Sequence, residues 1–141
     1  MKKVLFFIHN LGPGGAEKVL VNLANHMDPN QFEVTVMTMF DVGVNRQFLK
    51  PHVRYRTFFK RMFRGNSHLL ALFPPQWLHR RFIREKYDIE VAYLEGPAAR
   101  IISGCPNPDT KIVSWIHTQF QTKTRAVQGF RNMKDATRCY N

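Results

Sequence analysis

A run of five apolar residues, Val4 to Ile8, passes directly into HNLGPGGAEK at positions 9–18, a stretch holding three glycines, a proline and a glutamate. The run reads as a strand buried on both faces, the kind found in parallel sheets. From Ala16 the period changes: Ala16, Val19, Leu20, Leu23, Ala24 and Met27 recur at steps of three and four, one stripe of an amphipathic helix that stops before Asp28-Pro29. Phe32, Val34 and Val36 then alternate with Glu33 and Thr35 before Met37 and Met39, a second strand. Strand, glycine loop, helix and strand make one βαβ unit.

The same alternation continues. Residues 41–52 form a loop with a helical turn around Arg46 to Leu49, and Val53 to Phe58 form a third strand. Pro74-Pro75 punctuates before a helix from Gln76 to Lys86, in which Trp77, Leu78, Phe82 and Ile83 share a face while His79, Arg80, Arg84 and Glu85 look elsewhere. Ile89 to Leu94 is a fourth strand, Pro97 to Ser103 a short helix with proline near its start, and Lys111 to Ile116 a fifth strand ending on His117. The expected fold class is α/β: a single Rossmann-like parallel sheet with helices on both faces. After His117 the chain turns polar and basic with no strong periodicity.

With 141 residues, 44% of them hydrophobic and twelve of them Phe, one domain with a sizeable core is the limit. Cys105 and Cys139 lie far apart with no CxxC, which argues against a disulfide scaffold or a structural zinc site and fits a reducing cytosol. Lys and Arg number 21 against 10 acids, a formal charge of +11, so an anionic partner is expected: nucleic acid, a nucleotide or lipid phosphate, or an anionic membrane surface. The first apolar run is too short for a signal-peptide core or a membrane span.

Two phosphate-binding templates fail on the glycine loop. The P-loop requires Gly-Lys-Ser/Thr, but Lys18 follows Glu17 and precedes Val19. The dinucleotide fingerprint starts with Gly12-Pro13-Gly14, yet its last glycine position is Glu17, and Asp41 lies too far on to be the ribose acid. The underlying physics survives: Gly14 and Gly15 allow close approach, and the amides of Gly15, Ala16 and Glu17 point from a helix start toward an anion. The alternative, that the glycines only permit a tight turn, stays open.

Other polar residues fall at strand ends, where ligands of open parallel sheets bind: His9, Asn10, Glu95 and His117. Their spacing matches no compact metal motif, so no metal is expected and separate polar roles are assigned. Lys60, Arg61 and Arg64, set among Phe58, Phe59, Met62 and Phe63 and followed by Leu69 to Phe73 and Trp77, suit a lipid interface, a single-stranded nucleic acid or a solvated cationic face.

MKKVLFFIHNLGPGGAEKVLVNLANHM, FEVTVMTMFD, EKYDIEVAYLEGPAARIISG and KIVSWIHTQF together resemble the N-terminal domain of a family 4 glycosyltransferase of two-domain GT-B architecture, of the bacterial kind that builds capsule, polysaccharide or lipid-linked glycans. The pairing of GGAE after the first strand with IHT after the fifth carries most of that specificity. The resemblance implies a retaining transfer from a nucleotide diphosphate sugar to a glycan or polyprenyl-diphosphate-linked acceptor, with no cofactor. It implies that Gly14 and Gly15 lie against the donor diphosphate, that His117 is catalytic beside the transferred sugar, and that Glu95 lies near the acceptor. Residues 58–86, with Lys60, Arg61 and Arg64, would form the acceptor and membrane-facing region of a cytoplasmic protein peripheral to the membrane. Relatives carry a second, donor-binding domain, so the 141 residues read as the acceptor-side domain, inactive alone and prone to self-association through exposed surface. A basic nucleic-acid-binding module is the competing reading.

Overall fold

The computed structural model describes residues 1–61, 63–94 and 96–116. Five parallel strands form one sheet: β1 (Lys2–Ile8), β2 (Phe32–Phe40), β3 (Arg54–Phe59), β4 (Ile89–Tyr93) and β5 (Lys111–Trp115), in the order β3-β2-β1-β4-β5. β1 pairs with β2 from Lys2 opposite Phe32 to Ile8 opposite Thr38, and with β4 from Val4 opposite Ile89 to Phe7 opposite Ala92. Helices α1 (Gly15–His26), α2 (Asn66–Ala71), α3 (Pro75–Phe82) and α4 (Pro97–Ser103) connect them, with a 3-10 turn at Val44–Phe48.

Strand alternation divides the interior into two cores. Val4, Phe6 and Ile8 of β1 join Val34, Val36, Val91 and Tyr93 against Leu20, Val21 and Ala24 of α1. Leu5 and Phe7 join Met37, Met39 and Ala92 against Leu78, Phe82, Ile101 and Ile102 of α3 and α4. Helices therefore cover both faces, as the alternating sequence implies.

Two expectations need correction, and one helix has no counterpart in the sequence reading. The segment before Pro74 holds a six-residue helix, α2, which has no side-chain cap and no buried stripe to announce it. Its carbonyl end is held by Arg100 of α4, a fully buried guanidinium that donates to the carbonyls of Ala71 and Phe73. Helix α3 stops at Phe82, four residues before Lys86, because Ile83 leaves the helical region with φ −111° and ψ 97°. Finally, His79 is buried on the sheet side of α3, whereas Trp77 stays 48% exposed and stacks on Phe73 at 4.6 Å.

α3 and α4 meet closely where α4 ends, and a Cβ on Gly104 would stand 2.1 Å from the Pro75 carbonyl oxygen. Backbone cannot yield as a flexible side chain does. Gly104→Ala is expected to cost about 1–3 kcal/mol, seen as a lower Tm with unchanged far-UV circular dichroism at low temperature.

Candidate functional site

The sheet order reverses at β1, where the chain runs outward through β2 and β3 and then crosses back to β4. The carboxyl ends of β1 and β4 flank that switch point, where open α/β sheets bind ligands. The glycine loop follows β1 and Leu94 follows β4, so the topology brings both to the same edge of the sheet.

Within the loop, Gly14 precedes α1 with φ −66° and ψ 160°, angles open to any residue. Gly15 has no positive φ, and a Cβ there would meet nothing within 4 Å. A Cβ on Gly14 would meet only Glu17, whose Oε2 would lie 2.3 Å away at the end of a flexible side chain. The turn itself therefore does not require glycine at either position. The first intrahelical bond is Lys18 N–H to the Gly14 carbonyl at 3.3 Å, so the amides of Gly15, Ala16 and Glu17 come before the ladder starts. The Glu17 carboxylate lies beside Gly14 in the first turn of α1, where it suits the helix dipole.

A second loop fixes the first. Leu11 N–H donates to the Val42 carbonyl and Asn45 N–H to the Leu11 carbonyl, both at 3.1 Å. Buried Asn45 also donates its side-chain amide to the Gly12 carbonyl, and Asn10 Oδ1 accepts Gly12 N–H at 2.9 Å. Between these contacts Gly43 has φ +129°, and any Cβ would sit 1.9 Å from the Leu11 carbonyl oxygen. This second loop is itself tied down: Asp41 receives both Arg46 Nη1 at 2.7 Å and Tyr55 Oη at 3.0 Å, and the Arg46 guanidinium lies over the Tyr55 ring. Burial, reinforced by Asp41, holds the Tyr55 phenol above its ordinary pKa and so protonated as a donor. Asp41, too distant to be a ribose ligand of the dinucleotide type, thus works as an anchor. The sequence signals for this clasp, Gly43 and Asn45, belong to no motif.

Along the same rim, the His9 ring meets Phe40 edge-on at 5.0 Å, and Phe40 in turn contacts Phe59 and Phe63 at 5.6 Å. An aromatic chain thereby links the start of the glycine loop to the end of β3. After β4, Leu94 takes φ +73°, a strained angle for a branched residue, while its N–H bonds the Trp115 carbonyl at 3.2 Å. Glu95 and His117 lie outside the described residues. Their described neighbours, Leu94 and Ile116, follow adjacent strands β4 and β5.

Lys60, Arg61 and Arg64 follow β3, are exposed and form no ion pair among the described residues. They stand two strands from the glycine loop, beside an apolar cleft of about 210 Å³ lined by Phe58, Leu69, Phe73, Trp77, Phe82 and Arg81. Leu72, at 67% exposure, and Leu69, at 47%, extend the apolar surface around it. Among the described residues no helix is long and apolar enough to cross a membrane.

Sheet order, glycine loop and strand-end rim define a Rossmann-like α/β domain whose topological switch point lies between β1 and β4. The family model described as Glycosyltransferase Family 4 matches residues 13–138, and the chain belongs to that family. Membership carries glycosyl transfer as the general activity. No curated protein and no solved structure gives a match.

Two stability measurements check this geometry. Asn45→Ala leaves the Gly12 carbonyl without its buried donor and is expected to cost about 1–3 kcal/mol, whereas Gly15→Ala changes stability by about 1 kcal/mol or less; chemical denaturation of both variants reads the contrast. Burial holds the His9 imidazole below its ordinary value of 6.5. As pH falls through about 6.5 the unfolded chain takes up this proton before the folded one, so stability is full above that pH and declines below it until the folded-state value is passed. The difference in Tm between wild type and His9→Asn, measured from pH 8 to 5, should show the wild type losing more.

Proposed function

We propose that this domain forms the acceptor side of a retaining glycosyltransferase that moves a sugar from a nucleotide diphosphate sugar to a lipid-linked glycan. One observation carries the diphosphate assignment: Gly14 and Gly15 have backbone angles that any residue adopts, and open space stands in front of Gly15. Their lack of side chains is then explained by what must come close, not by the turn. The exposed amides of α1 meet the diphosphate, whose charge grows as the bond to the sugar breaks, so they favour the transition state over the ground state. Glu17 swings aside when the anion arrives, because its carboxylate would otherwise repel it.

In this proposal His117, following β5, donates a hydrogen bond to the transferred sugar, and Glu95, following β4, meets an acceptor hydroxyl; both roles rest on the family resemblance. The acceptor reading draws on the apolar cleft beside Lys60, Arg61 and Arg64, in which a lipid chain fits while the cations meet its phosphates. The same surface would lay the domain on the inner face of an anionic membrane. A second domain supplies the nucleotide site, and steady turnover by the 141-residue chain alone would overturn that part of the proposal.

Titration of the isotopically labelled chain with inorganic pyrophosphate tests the loop. Amide resonances of residues 14–18 should shift in a saturable manner, and Gly15→Glu should abolish the shifts with Tm nearly unchanged. Shifts elsewhere only, or equal shifts in the variant, would sink the diphosphate assignment. Cosedimentation with phosphatidylglycerol vesicles tests the cleft: Leu72→Glu with Trp77→Ala should reduce binding at least tenfold, and tighter binding to RNA than to vesicles would favour the nucleic-acid reading.

A further inference from the structure

On the face of the sheet opposite α1, three chemically dissimilar side chains converge from three elements. His79 comes from α3, Glu90 from β4 and Cys105 from the turn directly after α4, and their exposures are 3%, 0% and 2%. One imidazole nitrogen, one carboxylate oxygen and the thiol sulfur all lie within 4.8 Å of one another. His79 Nε2 stands 2.7 Å from Glu90 Oε2, a hydrogen bond in which the imidazole N–H donates. Glu90 Oε1, equally buried, makes no hydrogen bond of ordinary geometry. A carboxylate withdrawn from water with only an imidazole and a thiol beside it is costly, and the family's glycosyl chemistry gives it no task.

We propose that His79, Glu90 and Cys105 form a buried three-ligand site for a zinc-class divalent ion that ties α3, β4 and α4 together. The donor set combines nitrogen, oxygen and sulfur, the mixture that suits zinc and is foreign to magnesium or calcium. On binding, the ion bonds the Cys105 sulfur as thiolate, whose proton passes to solvent, takes His79 Nε2 as that nitrogen's proton is exchanged for one on Nδ1 so that the ring stays neutral, and takes one Glu90 oxygen. Thiolate and carboxylate together cancel the ion's two positive charges, so the loaded site is neutral, as a position without water demands. Burial, with Glu90 adding to it, pushes the Cys105 thiol up, so without the ion the sulfur stays protonated.

Tetrahedral zinc bonds of about 2.0–2.3 Å set ligand atoms about 3.3–3.8 Å apart, so the widest pair must close by at most roughly 1–1.5 Å while the His79–Glu90 contact at 2.7 Å opens by roughly 0.6 Å or more. A cleft bordered by His79, Arg84, Lys86 and Asn107 reaches the imidazole and offers both an entry path and a place for water as fourth ligand. Arg80, Arg84 and Lys86 at its mouth outnumber Glu85, which repels cations held by charge alone and leaves those that bond sulfur. The nearby cysteine-poor sequence gives no zinc motif, because the ligands come from separate elements and are assembled by the fold.

Cobalt substitution tests the site on the full 141-residue chain after removal of metals with a chelator. Co²⁺ should produce a thiolate-to-metal charge-transfer band in the near ultraviolet together with intense tetrahedral visible bands, Zn²⁺ should bleach them, and Zn²⁺ at a hundredfold excess over its Kd should raise Tm by several degrees. Cys139→Ser should leave the spectrum intact; Cys105→Ser should remove the charge-transfer band, and His79→Gln should weaken Co²⁺ binding at least tenfold. Because the native chain gives its own signal, poor folding of a variant does not decide the matter. Absence of the thiolate band in native protein, or a band that survives Cys105→Ser and disappears with Cys139→Ser, would overturn the proposal and leave the triad a hydrogen-bonded structural contact.

Discussion

Everything in this domain depends on a strand buried on both faces. Val4, Phe6 and Ile8 enter one core while Leu5 and Phe7 enter the other, and each is at most 4% exposed. At about 1.5–3 kcal/mol for each large apolar side chain removed from water, these residues hold the two layers of helices to one sheet. Both flanking strands take their register from β1, so the crevice between the carboxyl ends of β1 and β4 is placed by the same contacts that stabilise the fold. Site and core cannot be separated here: a slip of one residue in β1 would exchange its two faces and move the glycine loop with them.

The loop at that crevice needs more than a strand behind it. Three exposed amides at a helix start form an anion site only if the preceding residues hold them in place, and residues 10–12 have no regular structure of their own. The support comes from the loop after β2. Asn45 and Val42 bond the backbone of Leu11 and Gly12, and Asp41 transmits the position of β3 through Tyr55 and Arg46. Preorganisation of this kind is what lets dipoles act on a developing charge without reorganising at the moment of reaction. Gly43 shows how tight the clasp is, since its φ and its contact with Leu11 each exclude a side chain.

Much of this fold was legible because its signals are local and repeated. The five strands, α1 and α4 follow from apolar runs, period changes and proline or glycine punctuation, and the glycine loop is visible as a string of letters. What escaped depends on distant partners. Six residues of α2 are too few to show a period, and the helix is stabilised at its carbonyl end by Arg100, some thirty positions later. His79 reads as a polar residue on a basic helix, yet it turns inward because Glu90, on a strand that otherwise reads as apolar, offers it a buried carboxylate. Asn45 and Gly43 look like ordinary loop residues until Leu11 and Gly12 are placed against them. The resemblance to the glycosyltransferase family pointed to Glu95 and His117, which the described residues approach without including.

The surplus of positive charge, finally, is not spread evenly. Glu33 and Glu85 bind Arg54 and Arg56 along the outer edge of the sheet, and Asp41 binds Arg46 beside the glycine loop. Among the described residues, the cations outside these pairs include two groups, Lys60, Arg61 and Arg64 after β3 and Arg80, Arg81 and Arg84 at and just after the end of α3. Both flank the apolar cleft between β3 and α3, where Arg81 lies in the wall. Under the acceptor proposal this apolar surface with cations beside it would take an amphiphile with an anionic head, and it lies on the same carboxyl-end side of β3 that the aromatic chain from His9 to Phe63 connects to the glycine loop.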